Sequence, residues 1–373
     1  MSSVIYDRII VQQLDPDTPA AGGIDSCLRD LIAHAPEDLR ILVLGVSRTE
    51  PLWKVRKKTF GAREVDFLAV AHLDPMSKRR FIPHSLRVVF GAVVPLLCFS
   101  SRKTTIETHR FEAGFLASLV RCEKRVVYAH TDPVAVVGGT SDSFWRKMPK
   151  LYSYMESRVL RKASRTIVFS RKGAEYYSSR FSNITCASTW YNDDLFKVAT
   201  GSRSERALLW VGRFEAPKDP LYALEVIESI NRRRENDWKL IMIGDGSLRA
   251  QLETEILRRS LGDSVSLAGV KTREEVAKEL AISTALLMTS NFEGSPVVLY
   301  ESMAVGTPVI APEQADPDQV IRDGVSGYRV PRKAEALAEA VLDLPVAEAT
   351  VIAATVADRA MEIAVQEVWN IAR

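Results

Sequence analysis

The sequence predicts an α/β fold built as two doubly wound domains in succession, each a parallel sheet flanked by helices. Three observations predict it. Short β-rich apolar runs alternate with longer segments of helical period. That alternation restarts after a polar stretch, Lys197 to Glu205. The chain of 373 residues also holds enough for two domains at ~150 residues each. The composition, 46% hydrophobic and 26% charged, supports sizeable cores and excludes a disordered chain. No repeat with a period of roughly 20–50 residues is visible, which excludes solenoids and propellers.

In the first half, strands are expected at Ile9–Leu14, Leu39–Gly45, Val65–Ala71, Thr104–Thr108, Arg125–Ala129 and Thr166–Ser170. The intervening helices are Ile24–Ala33, Ser85–Phe99, Ala113–Val120 and a long one at Trp145–Lys162. After the linker, Ala207–Val211, Lys239–Ile243, Ser264–Leu267, Ala285–Thr289 and Pro308–Ala311 read as strands. Pro220–Arg233, Leu248–Arg259, Arg273–Ala281 and Pro296–Val305 read as their helices. The domains are therefore expected at 1–200 and 201–357, both Rossmann-like, with ligand chemistry beyond the carboxyl ends of the strands in the cleft between them.

Charge separates the two halves. Residues 1–200 hold 30 Lys and Arg against 20 Asp and Glu, whereas residues 201–373 hold 20 against 27. The basic half is suited to an anionic membrane surface, nucleic acid or a phosphorylated acceptor, the alternative being a solvated surface with a chance bias in charge. Its basic clusters, Lys54–Lys58 and Lys78–Arg80, have too few flanking aromatics for nucleic acid. Trp53 and Phe60 flank the first cluster, which reads either as a lipid contact or as a charged hairpin. The longest apolar run, Val88–Phe99, is broken by Gly91 and Pro95 and is too short to span a bilayer. MSSVIYDRII lacks the basic start and cleavage site of a secretory leader. Cys27, Cys98, Cys122 and Cys186 form no CxxC pair, so reduced thiols in a cytoplasmic protein are expected.

The most informative stretch is Asn291-Phe-Glu-Gly-Ser-Pro-Val-Val-Leu-Tyr-Glu301. It follows a strand, and Ser295-Pro296 reads as helix N-cap and first helical residue. The amides of Val297 and Val298 then lack intrahelical partners at the positive end of the dipole, a backbone site suited to a diphosphate. Glu293 stands at the mouth. Glu301 lies five residues past Pro296, about 1.4 turns on, and two such carboxylates accept sugar hydroxyls. A second loop, Gly212-Arg213-Phe-Glu-Ala-Pro-Lys218-Asp219, follows the strand Ala207–Val211. There Gly212 permits close backbone approach, and Arg213 and Lys218 supply two cations to clamp a diphosphate. Both loops occupy the carboxyl edge of one sheet.

GRFEAPKD, MIGDGSLRAQLE and SNFEGSPVVLYESMAVGTPVIA, in that order, resemble the retaining family 4 glycosyltransferases (glycosyl transferases group 1) of the GT-B fold. Glu293 and Glu301 reproduce the family's E-x7-E signature, and the likeness runs over residues 205–332. It implies that Arg213 and Lys218 bind the donor diphosphate, Glu293 the sugar hydroxyls and Glu301 the ribose. It further implies that backbone near Val270 holds the base and that Gly244 and Gly246 line the site. Pro296 stands where one large subgroup has Gly, and proline has no nitrogen proton to donate.

The N-terminal half resembles the family more loosely. Pro19-Ala-Ala-Gly22-Gly23-Ile24 resembles its glycine-rich loop. Tyr128-Ala-His130-Thr-Asp132 ends a strand at the position of the family's active-site histidine, so His130 is the candidate for holding the transferred sugar or easing proton movement. His109 also ends a strand and is its rival. Trp190–Phe196 stands in place of a PNG-x-D-x-x-F segment but lacks its Pro and Gly.

The resemblance implies a retaining transferase that moves a sugar from a nucleotide-sugar donor, with UDP the expected nucleotide, to a glycan, lipid-linked or small-molecule hydroxyl in surface polysaccharide or glycoconjugate synthesis. It also implies that the final helix, 358–373, packs back on the N-terminal domain. A UDP-sugar epimerase of the same architecture and a non-catalytic sugar-nucleotide binder are the alternatives. Neither cofactor nor metal is expected: Asp15-Pro-Asp17 and Asp316-Pro-Asp318 read as turns. Gly244-Asp-Gly246 has Arg249 where a nicotinamide fingerprint needs glycine.

Overall fold

The computed structural model of the chain describes residues 5–18, 23–73, 84–130, 144–199, 201, 203–233, 238–344 and 347–373. Two compact units divide it. Met1–Ser188 with Val365–Arg373 form the N-terminal unit, and Thr189–Ala364 form the C-terminal unit. The division falls ahead of the polar stretch at Lys197, not within it. The reason is packing: Tyr191 and Phe196 are buried in the core of the C-terminal unit.

The N-terminal unit runs β1 (Arg8–Val11), α1 (Gly23–Ala33), β2 (Ile41–Ser47), β3 (Val55–Phe60), β4 (Arg63–His72), α2 (His84–Phe99) and β5 (Thr105–Thr108). It continues α3 (Phe111–Ala117), β6 (Lys124–Ala129), α4 (Pro149–Lys162), β7 (Arg165–Val168), α5 (Arg171–Ser178) and β8 (Ile184–Cys186). The strand order is β3-β4-β2-β1-β5-β6-β7-β8, parallel except where β3 pairs antiparallel with β4. β1 and β2 are buried at every position, as parallel strands covered on both faces must be.

The cluster Lys54–Lys58 is mostly edge strand β3, the hairpin of the two sequence readings. The cations within the strand are occupied: Arg56 lies 3.9 Å from Glu50, Lys57 lies 3.2 Å from Asp66, and Lys58 lies 2.7 Å from Asp17 and 2.8 Å from Glu50. Phe60 is buried and unavailable to lipid. The segment expected as one helix from Trp145 is a short 3-10 turn, Phe144–Lys147, followed by α4. Pro149 forces the break, because the residue before a proline avoids helical backbone and Met148 sits at φ −136°, ψ 58°. Lys78–Arg80 lie outside the described residues.

In the C-terminal unit the order is β9 (Ala207–Val211), α6 (Pro220–Arg233), β10 (Lys239–Ile243), α7 (Arg249–Arg258), β11 (Val265–Gly269), α8 (Arg273–Ile282) and β12 (Ala285–Leu287). Then come α9 (Val297–Ala304), β13 (Val309–Pro312), β14 (Gly327–Val330), α10 (Ala334–Leu342) and α11 (Ala349–Ala354). All six strands are parallel in the order β11-β10-β9-β12-β13-β14. Strand succession runs outward in one direction from β9 and in the other from β12. These two neighbours mark the topological switch point, where an open α/β sheet leaves a crevice at its carboxyl edge.

The last helix, α12 (Met361–Ala372), begins three residues later than expected, after a 3-10 turn at Ala357–Arg359. Its C-terminal part belongs to the N-terminal unit. Trp369 is fully buried there, its indole N–H donating to the Leu31 carbonyl at 3.0 Å. Arg8 lies over the Trp369 ring at 5.6 Å, donates to the Ala372 carbonyl at 3.1 Å and pairs with buried Glu107 at 2.8 Å. A cavity at the indole would uncover this buried charge pair. Trp369→Ala should therefore destabilise the N-terminal unit by about 3–5 kcal/mol, read from a denaturant midpoint.

Candidate functional site

The loop after β9 is held by its neighbours. Phe214 N–H donates to the Asp245 carbonyl at 2.9 Å, and Glu215 accepts from both the amide (3.0 Å) and hydroxyl (2.6 Å) of Ser247. The loop after β10 is thus fastened to the loop after β9. Gly244 has φ +144°, and a Cβ there would lie 1.8 Å from the Gly212 carbonyl oxygen. Only glycine permits that approach. A Cβ at Gly246 would meet the Phe214 carbonyl oxygen at 2.5 Å, so the glycines singled out in the sequence crowd one sheet edge.

Fastening continues on the other side, toward β12. The Thr289 hydroxyl accepts from the Trp210 indole N–H at 2.8 Å and faces the carbonyls of Lys218 (3.1 Å) and Asp219 (2.9 Å). Asn291 donates from its backbone to Pro217 (3.0 Å) and from its side chain to Ala216 (3.1 Å). Asp219 adopts φ +44°, a left-handed conformation in which a non-glycine residue is strained. Arg332 braces it, donating to its carboxylate at 2.5 Å while lying 4.1 Å over the Tyr222 ring.

The predicted charged residues occupy this frame. Lys218 Nζ lies 2.5 Å from Glu293 Oε1, and the Ser290 hydroxyl donates to the same oxygen at 2.5 Å. Glu293 is buried and Lys218 half-buried. Arg213 is exposed and makes no ion pair among the described residues. Glu301, buried in α9, accepts from Arg273 at 3.0 Å, and Arg273 lies over the Phe196 ring at 5.6 Å. Val270 follows Gly269, whose φ is +72°, and its side chain is 68% exposed.

The start of α9 corrects one expectation. Pro296, not Ser295, is the N-cap, and Val297 is the first helical residue. Pro296 keeps an extended ψ of 104°, so the helix starts one residue late, with Leu299 N–H bonding back to the Pro296 carbonyl at 3.1 Å. The amides of Val297 and Val298 are its free N-terminal donors. Asp316, half of one Asp-Pro-Asp string, is buried and accepts from the amides of Val320 (3.0 Å) and Ile321 (2.9 Å), which burial offsets by pushing its carboxyl up.

Sequence reasoning missed Arg273, Arg332 and Thr289. The capping box Thr272-x-x-Glu275 beside Arg273 marks a helix start, but nothing in the order of residues links Arg273 to Glu301.

In the N-terminal unit the rival histidines form a pair. His109 Nδ1 and His130 Nε2 lie 2.8 Å apart at the ends of neighbouring strands β5 and β6. The His109 ring stacks on Tyr128 at 4.3 Å and the His130 ring on Phe169 at 4.8 Å. Burial, with Arg110 nearby, pushes the His130 pKa down to about 3, and burial and His130 hold His109 well below the usual range. Gly23 is the first residue of α1; residues 19–22 of its loop lie outside the described residues, as do Thr131 and Asp132.

Comparison with known proteins follows this geometry. Residues 193–345 match the family model described as Glycosyl transferases group 1. Alpha-D-kanosaminyltransferase of Streptomyces kanamyceticus is 25% identical over 314 residues, covering 79% of this chain and 72% of that protein. The amylovoran biosynthesis glycosyltransferase AmsK of Erwinia amylovora is 36% identical over 160 residues, 41% of this chain and 39% of that protein. Sucrose-phosphate synthase from Thermosynechococcus elongatus superposes with a TM-score of 0.73 at 19% identity, over 98% of this chain and 96% of that one. Anabaena Alr3699/HepE in complex with UDP and glucose superposes at 0.69 and 15% identity, over 98% of each chain. At these identities the structural likenesses establish the fold.

Both paired histidines are neutral in the folded protein but titrate near 6.5 when unfolded. Below that value the unfolded chain binds more protons, so stability falls as pH drops from about 6.5 toward 3. Urea unfolding of the full chain at a series of pH values should show this slope, and His109→Phe with His130→Phe should flatten it.

Proposed function

Because residues 193–345 carry a glycosyl transferases group 1 domain and the chain has the GT-B fold, we propose that it transfers a sugar from a nucleotide-sugar donor to an acceptor hydroxyl with retention of anomeric configuration. The observation that carries the reading is the convergence of Lys218, Glu293 and the α9 amides at one carboxyl edge, on which Arg213 is exposed and makes no ion pair among the described residues.

In this reading Arg213, Lys218 and the amides of Val297 and Val298 hold the donor diphosphate. An ammonium has three donors, so Lys218 keeps two for phosphate oxygens after bonding Glu293. Glu293 spends Oε1 on Lys218 and Ser290 and turns Oε2 to a sugar hydroxyl. Glu301, oriented by Arg273, takes the ribose hydroxyls, Ser295 and Gly212 line the phosphates with Gly244, and the backbone at Val270 takes the base. UDP is the nucleotide, consistent with the UDP complexes among its structural neighbours. In the N-terminal unit, the neutral His130 is suited to a sugar hydroxyl and the Gly23 end of α1 to an anion.

The bond from the anomeric carbon to the diphosphate breaks while the acceptor oxygen bonds to that carbon on the same face. The acceptor's proton passes to a leaving phosphate oxygen. Charge therefore accumulates on the diphosphate, and fixed cations and amides stabilise it without reorganising. Glu293 is anchored by Lys218 and Ser290, which suits a binding role better than covalent attack. The acceptor is a glycan, lipid-linked or small-molecule hydroxyl, in surface polysaccharide or glycoconjugate synthesis.

A thermal-shift panel of UDP-, GDP-, ADP- and dTDP-sugars should show a rise in melting temperature with the UDP donor. Lys218→Ala and Glu301→Ala should remove that rise and lower transfer by about 10²- to 10³-fold while the chain stays folded. Full activity in both variants, or no stabilisation by any of the four donors, refutes the assignment. Stabilisation without turnover or isomerisation identifies a binder, and isomerisation without acceptor an epimerase.

A further inference from the structure

Helix α2 is apolar on two faces. Val88, Ala92 and Leu96 are buried against the sheet, as expected of a helix covering β2 and β4. Phe90, Val94 and Leu97 form a second stripe at i, i+4 and i+7, and they are 68%, 58% and 66% exposed. Leu119, just past α3, and Leu151 and Tyr154 on α4 are also exposed, and α3 packs against both α2 and α4. An apolar face of this extent in solution marks an interaction surface.

Charge identifies what it meets. Arg87 continues the stripe at its N-terminal end, and Arg102 and Lys103 stand exposed just past its C-terminal end. Between residues 84 and 122 the only acids are Glu107 and Glu112, both buried, while Arg87, Arg102, Lys103, Arg110 and Arg121 are exposed. The one exposed acid adjoining them is Glu123, whose amide bonds to the Thr104 carbonyl, so cations predominate. A symmetric contact between two copies would oppose those cations to themselves. An anionic lipid surface accepts both the apolar stripe and the cations that bracket it.

We propose that α2 lies in the plane of an anionic bilayer, with Phe90, Val94 and Leu97 in the boundary between headgroups and acyl chains and Arg87, Arg102 and Lys103 on lipid phosphates. This surface is separate from the C-terminal carboxyl edge and does not rest on the transfer reading. It also moves the basic-half contact away from β3, whose cations are paired within the protein.

Sedimentation with vesicles tests it. The full chain should pellet with phosphatidylcholine vesicles containing phosphatidylglycerol, less so at high salt, and not with phosphatidylcholine alone. Phe90→Ser with Val94→Ser and Leu97→Ser should weaken binding by at least about tenfold, because a single side chain of this size supplies that much when buried. Arg87→Gln with Arg102→Gln and Lys103→Gln should reduce both binding and its salt dependence. Melting curves matching the parent confirm that the variants are folded. Equal pelleting of parent and apolar variant overturns the proposal. So does a lipid-free dimer, seen by sedimentation velocity, that the apolar variant dissolves.

Discussion

A lysine ammonium donates to one carboxylate oxygen of a glutamate 75 residues away at 2.5 Å, and much of the C-terminal unit serves to bring them there. The requirement is topological first. Parallel strands deliver their following loops to one edge, and only neighbours such as β9 and β12 bring two of those loops side by side. Thr289, Arg332 and Asn291 then tie the two loops together through backbone and side-chain bonds. The cationic and acidic groups are consequently positioned by the protein's own bonds.

The two units handle charge in opposite ways. At the carboxyl edge of the C-terminal sheet, cations and carboxylates are positioned by pairing with one another, and Arg213 makes no ion pair among the described residues. In the N-terminal unit burial dominates: the His109–His130 pair is stripped of its proton, and Tyr128, stacked beside it, donates to Glu107 at 3.2 Å. A neutral imidazole pair shares one proton along its hydrogen bond and offers donors and acceptors without net charge. That suits contact with a neutral polyol better than with a phosphate.

Much of this was legible in the sequence. Ala207–Val211, Pro220–Arg233 and Lys239–Ile243 fold over the expected spans, since buried parallel strands read as short continuous apolar runs bounded by polar turns. β3 was illegible because an edge strand that alternates cations with half-buried residues has no apolar run. α5, with its sequence RKGAEYYS, and the three-residue β8 are too polar or too short to show a period. Arg213, Lys218, Glu293 and Glu301 could be singled out because local turn and helix-end chemistry marks them. Their partners could not: Arg273 meets Glu301 across 28 residues and Arg332 meets Asp219 across 113, distances that strand order alone determines. The two histidines were each visible at a strand end, but their 2.8 Å contact depends on β5 and β6 being neighbours.

The return of residues 365–373 to the first unit has a consequence for biogenesis. Arg8 and Leu31 emerge from the ribosome early, yet their partners Ala372 and Trp369 are translated after the entire second unit. The nascent N-terminal sheet therefore cannot make the Arg8–Ala372 and Leu31–Trp369 bonds until residues 365–373 have been synthesised. The unit that begins the polypeptide is thus completed by a segment made after the whole of the other unit.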